Sequence, residues 1–169
     1  MERLIKTIIF AGVVTLAVAC GDYKDHQNKT DVNAIQEPAV HSVRERRDAL
    51  ESRGFQTFEY IDEAGKDTVL MQQYFIVFLK RGTVHSATKT EMDSLQARHL
   101  AHLKRMYEEG YADISGPFGD DGDIRGITIY NTPTQAMADS LAHLDPMVQT
   151  GRLQIEVHPW WAAKGFPLR

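Results

Sequence analysis

His99 stands where a helix would be expected to carry a leucine. With Met92 just ahead of it, the stretch SLQARHLAHLKRM (Ser94 to Met106) repeats apolar residues at helical spacing. At about 100° per residue, Met92, Leu95, His99, Leu103 and Met106 fall within about 40° of one line. His99 is the middle of that stripe, not its edge. Imidazole has an unperturbed pKa of about 6.5, so such a side chain can give or take a proton near neutrality. On the residues alone two readings stay open: a hydrogen-bonded core histidine, or a general base facing a pocket.

Other residues able to do chemistry are fewer. His102 lies one helical turn beyond His99, and a His-x-x-His pair can supply two metal ligands. His85, His143 and His158 have no spacing that completes such a set, so no metal site is expected. In SGPFGDDGDIRG, Gly116 and Pro117 would shape a loop rim, Phe118 could form a pocket wall, and Arg125 could bind a substrate anion. The same stretch also reads as a plain hairpin turned by Asp-Gly. Asp120, Asp121 and Asp123 lack the spacing of a calcium loop and read as a solvated turn. In HPWW, Trp160 could close a pocket on a flat ligand, or the two tryptophans could bury area at a subunit contact. Asp145 precedes Pro146, a position at which aspartate often caps a turn. There is no phosphate-binding glycine loop, no serine elbow and no cysteine nucleophile. No organic cofactor is expected.

These residues fall on a regular series of elements. YFIVFLK (Tyr74 to Lys80) is a strand, and Thr90 to Glu109 a long helix stopped by Gly110. YADIS and RGITIYN are strands joined by FGDDGD. TPTQAMADSLAHL is a second helix, with Thr132 as N-cap and Pro133 at its first position. DPMVQTG is a turn before the last strand, RLQIEVHP. The order βαββαβ is the α+β, ferredoxin-like arrangement. Upstream, Ser42 caps a short helix ending near Gly54, and FQTFEYID and DTVLMQQYFIVFLK suggest a hairpin. Tyr74, Ile76 and Phe78 alternate with Phe75, Val77 and Leu79, so both faces of that strand are apolar. Two helices cover one face of a four-stranded sheet; a second subunit, sheet against sheet, is the simplest cover for the other. The upstream helix and hairpin are the competing cover. Gln154, Glu156 and His158 form a polar row opposite Leu153, Ile155 and Val157.

The 169-residue chain is 43% hydrophobic and 25% charged, enough for one domain with extensions. Its net charge of −4 and scattered basic residues argue against nucleic acid as a partner. Residues 1–19 read as a signal segment: Arg3 and Lys6 precede an apolar run, Ile8 to Ala19, too short to span a bilayer. Cys20, the single cysteine, follows Ala19 and resembles the lipid-carrying cysteine of a bacterial lipoprotein signal. The departure is Ala17 where such signals usually carry Leu; Leu16 lies one residue further back. The expectation is an exported protein held at the membrane of the cell envelope by a lipid on Cys20. Residues 20–39 read as a flexible tether, 40–71 as the helix and hairpin extension, 72–164 as the main domain and 165–169 as a tail.

With the helix histidine, SGPF, RGITIY, LDPMVQTGRL and HPWW in this order, residues 72–164 resemble the YciI-like (YCII-related) family of the dimeric α+β barrel group. The resemblance implies a ferredoxin-like subunit that forms a homodimer through its sheet. It also implies an active site built on a histidine of the first helix and an aspartate of the turn after the second. His99 matches the former and Asp145 the latter. Family members with assigned chemistry resemble lyases or dehydrohalogenases acting on small hydroxylated rings. A carboxylate on one ring nitrogen would fix the tautomer of His99 and leave the other nitrogen as base. The expected ligand is a small organic molecule. The alternative is a non-catalytic envelope module in which the pair is structural.

Overall fold

The computed structural model describes residues 42–65, 67–166 and 168. The expected signal segment, the tether and Cys20 lie outside them. Among the described residues no helix is long and apolar enough to cross a membrane. The elements are α1 (Val43–Glu51), β1 (Thr57–Ile61), β2 (Thr68–Arg81), α2 (Lys89–Glu108), β3 (Ala112–Pro117), β4 (Ile124–Tyr130), α3 (Gln135–Ala142), α4 (Pro146–Gln149) and β5 (Leu153–Ala163).

β2 is the centre of the sheet because its aromatic and β-branched residues tolerate burial on both faces. It pairs antiparallel with β5 along one edge and with β4 along the other, and β3 pairs outside β4. The resulting order, β5-β2-β4-β3, with α2 and α3 as the crossovers, is a ferredoxin-like α+β fold. β1 continues the β4 edge: Gln72 lies opposite Thr57 on one side and Ala162 on the other.

Phe75, Val77 and Leu79 of β2 form the core with Met106, Ala112, Tyr130, Ala138 and Ala142. α2 starts with a reciprocal cap, in which the Thr88 hydroxyl accepts from Glu91 N–H and the Glu91 carboxylate accepts from Thr88 N–H at 2.8 Å. It ends at Gly110, whose φ of 76° is the left-handed conformation that glycine adopts freely. α3 begins later than the sequence suggests. Its N-cap is Thr134, whose hydroxyl accepts from Met137 N–H, whereas the Thr132 hydroxyl donates to the Thr134 carbonyl. Pro133 therefore stays outside the helix, and Thr132, fully buried, turns its hydroxyl to the loop instead of capping it.

The second face of the sheet is covered unevenly. Leu50 and Phe55, from α1 and the turn after it, pack on Leu70 at one end. Further along the same face Ile76 lies between Ile129 and His158, and Phe78 between Ile127 and Glu156. Ile114 and Trp160, on the flanking strands, remain 37% and 41% exposed. The chain's own extension therefore covers only the Leu70 end.

Candidate active site

Asp145 is placed by two local rules at once. As the N-cap of α4, followed by Pro146 at the first helical position, it accepts from Met147 N–H through Oδ1 at 2.8 Å. Its other oxygen, Oδ2, lies 2.7 Å from His99 Nδ1. The pair spans 46 residues of sequence and is brought together because α4 packs on α2. Asp145 is 1% exposed, so its carboxylate is committed to these two donors rather than to water. An ionised carboxylate only accepts, which puts the hydrogen of His99 on Nδ1 and leaves Nε2 as the basic nitrogen.

His99 lines a pocket of about 520 Å³ between α2 and the sheet. Leu79, Met92, Leu103, Met147 and Leu153 give it apolar walls, and Gln96 and Ser115 add polar groups. Gly116, Pro117 and Arg125, singled out from the sequence, line it too. The Arg125 guanidinium donates to Asp121 at 2.9 Å. Sequence reasoning missed Arg81 and Arg152, which also line the pocket. Gly82 allows β2 to close on the start of β5 here: a Cβ would lie 2.1 Å from the Gly151 carbonyl oxygen and 2.5 Å from the Arg152 carbonyl carbon.

Two expected pocket residues are elsewhere. Phe118 follows Pro117 just past the end of β3, is not among the lining residues and is 44% exposed. Trp160 sits opposite Tyr74 on the second face of the sheet, its ring centroid 6.2 Å from the tyrosine ring. Neither Phe118 nor Trp160 is therefore among the residues that line the His99 pocket. The polar row lies on that second face as well, with His158 Nε2 2.7 Å from Glu156 and Lys80 donating to the same carboxylate at 3.2 Å.

His102 is buried more deeply than its offset from the apolar stripe suggests, because α4 as well as the sheet contacts α2. Its Nε2 has no partner among the described residues, and no group of three or more potential metal ligands occurs among them. Burial holds the His102 pKa below the ordinary histidine value, with Arg105 and His99 acting in the same direction and Asp145 and Glu109 against it. Its neutral form is therefore favoured in the folded state, and its contribution to stability is complete above about pH 6.5, the unfolded value. That contribution is lost as pH falls from there through the lowered folded pKa. Urea titrations across pH 5–8 are expected to show His102→Gln with a flatter acid limb than the parent, by at most about 1.4 kcal/mol per pH unit.

A pocket walled by a sheet and a helix, with a histidine held by a buried carboxylate, makes a candidate site on a ferredoxin-like domain. Residues 74–161, just over half of the chain, match the YCII-related domain family, and the chain belongs to that family. Among solved structures it is similar to the 5-chloro-2-hydroxyhydroquinone dehydrochlorinase of Burkholderia phenoliruptrix AC1100 in complex with 2,5-dihydroxybenzoquinone. The identity is 21% and the TM-score 0.39, over 52% of this chain and 92% of that one. No curated protein matches the chain in sequence.

Proposed function

We propose that this YCII-related protein is a cofactor-independent enzyme of the lyase or isomerase type, with His99 as its proton-transfer base and Asp145 as the group that orients it. The observation that carries this reading is the 2.7 Å contact between His99 Nδ1 and a fully buried Asp145, on the wall of an accessible pocket. The resemblance of the family to enzymes acting on small hydroxylated rings supports a substrate of that class. In an elimination, Nε2 takes a proton from substrate carbon or hydroxyl, and the released electron pair forms the new double bond. The leaving group departs with its own pair, and Asp145 stabilises the imidazolium that results.

In this reading the protein is a homodimer closed over the Ile76 face and is held at the cell envelope by a lipid on Cys20. Mass spectrometry of the membrane fraction tests the anchor, since a diacylated cysteine adds a defined mass to the processed N-terminus.

The function itself is tested by offering the full chain a panel of halogenated and plain hydroxylated aromatic compounds, followed by halide release and ultraviolet absorbance. Turnover of at least one compound, lost by a factor of about 10² or more in His99→Gln, is the expected result. Turnover that survives in His99→Gln would remove the histidine from the chemistry. A panel with no turnover, and with His99 inaccessible to every compound by NMR, would favour the binding-module reading.

A further inference from the structure

Three arginines at or beside neighbouring strand ends line the His99 pocket. Arg125 comes from β4, Arg81 from the end of β2 and Arg152 from the residue preceding β5; all three line the cavity. Backbone pairing holds these ends side by side: Arg81 N–H donates to the Asp123 carbonyl and Gly82 N–H to the Arg152 carbonyl, each at 2.8 Å. His85 lines the same cavity, and none of the described lining residues is a carboxylate.

The neighbouring acids do not balance this charge. Asp121 accepts from both Arg81 and Arg125, at 3.0 and 2.9 Å, and its side chain is 89% exposed. Arg152 donates to a neutral group, the Ser86 carbonyl, at 2.5 Å. Glu91, which feels the charge of Arg152, is engaged in the cap of α2. Among the described residues each guanidinium bonds through a single terminal nitrogen: Nη2 of Arg81 and Nη1 of Arg125, which also donate to carbonyls of the 120–122 turn, and Nη2 of Arg152. Each guanidinium has five N–H donors, so donors remain for a ligand. Two of the cations share one solvated anion, and the carboxylate that feels the third is committed to a helix cap, so the ion cluster is incomplete. An oxyanion completes it, and guanidinium forks match its geometry.

We propose that Arg81, Arg125 and Arg152 form an oxyanion subsite of the His99 pocket, so that the substrate is a small ring or unsaturated molecule bearing a carboxylate or phosphate. This inference rests on the proposed His99 chemistry for where the rest of the molecule lies. The apolar walls hold the carbon skeleton, the arginines hold its anionic end, and His99 meets the reacting atom. A fixed anionic handle makes proton abstraction at one carbon or hydroxyl an oriented event rather than one of several encounters.

The test uses calorimetry on the full chain with three probes: hydroquinone, 2,5-dihydroxybenzoate, which is the same ring with a carboxylate, and inorganic phosphate. The carboxylated ring is expected to bind about tenfold or more tighter than hydroquinone. That advantage should shrink at about 0.5 M NaCl, a readout on the unaltered protein that needs no variant. It should vanish in the double variant Arg125→Gln, Arg152→Gln, and persist in part in Arg125→Lys. Phosphate that displaces the carboxylated ring and binds more tightly than it assigns the subsite to a phosphorylated substrate; weaker phosphate assigns it to a carboxylate. Equal affinity for the two rings overturns the subsite and leaves the His99 pocket standing. No binding of either anion overturns it as well. Binding is read without turnover, so the failure of His99 chemistry is separable: His99→Gln should keep the carboxylate advantage.

Discussion

In Asp145→Asn, turnover of any substrate found by the aromatic panel is expected to fall by about 10²- to 10⁴-fold while the fold is retained. The amide oxygen can still accept from Met147 N–H and keep α4 capped. On the other side, the amide presents an NH₂ to His99 Nδ1 where the carboxylate presented an acceptor. Nδ1 must then be the bare nitrogen, and Nε2, the nitrogen left for the substrate, carries the hydrogen. A base with its lone pair on the wrong atom cannot take a proton from the pocket. Imidazole ¹⁵N shifts report this directly: the bare nitrogen of His99 should be Nε2 in the parent and Nδ1 in the variant. Identical ¹⁵N patterns in the two proteins would show that Asp145 does not set the tautomer.

The second large effect concerns assembly. Ile76 lies at the centre of the partly covered sheet face, flanked by Ile129 and His158, and is only half-buried in the single chain. A glutamate there can reach water in a monomer but not in a dimer closed over that face. Enclosing an unpaired carboxylate costs several kcal/mol per site, and a symmetric interface contains two. Ile76→Glu is therefore expected to weaken association by about 10³-fold or more, turning the proposed dimer into a folded monomer in sedimentation velocity. A parent that sediments as a monomer, or a variant that stays dimeric, would remove this face as the interface.

Sequence patterns reached the parts of this molecule that obey a short period or a local cap. The 3.6-residue stripe located α2 and put His99 on its inward side, and alternation in YFIVFLK identified a strand apolar on both faces. Asp145 was legible as a turn cap, which it is. Its contact with His99 was not, because nothing local joins residues separated by 46 positions; only the family resemblance suggested it. Arg81 and Arg152 were missed because each looks like an ordinary polar strand end, and their convergence depends on the register of β2 with its neighbours. Phe118 and Trp160 were placed in the pocket on chemical type alone. For Trp160 the side of the sheet was what mattered, set by pairing with Tyr74, and Phe118 lies beyond the last paired residue of β3. Thr132 was preferred to Thr134 as a cap because Pro133 follows it, yet two candidate hydroxyls so close together are separated only by tertiary packing.

One carboxylate binds both the histidine and the first turn of α4, so the Met147 amide shares an acceptor with the candidate base. Whatever draws charge toward His99 must also change the bond at that amide. The Met147 N–H is thus a built-in reporter: a single backbone resonance, remote from any ligand's own signals, whose shift and exchange rate would register the state of the pocket. It would serve equally before any substrate is known, since it responds to occupancy rather than to product.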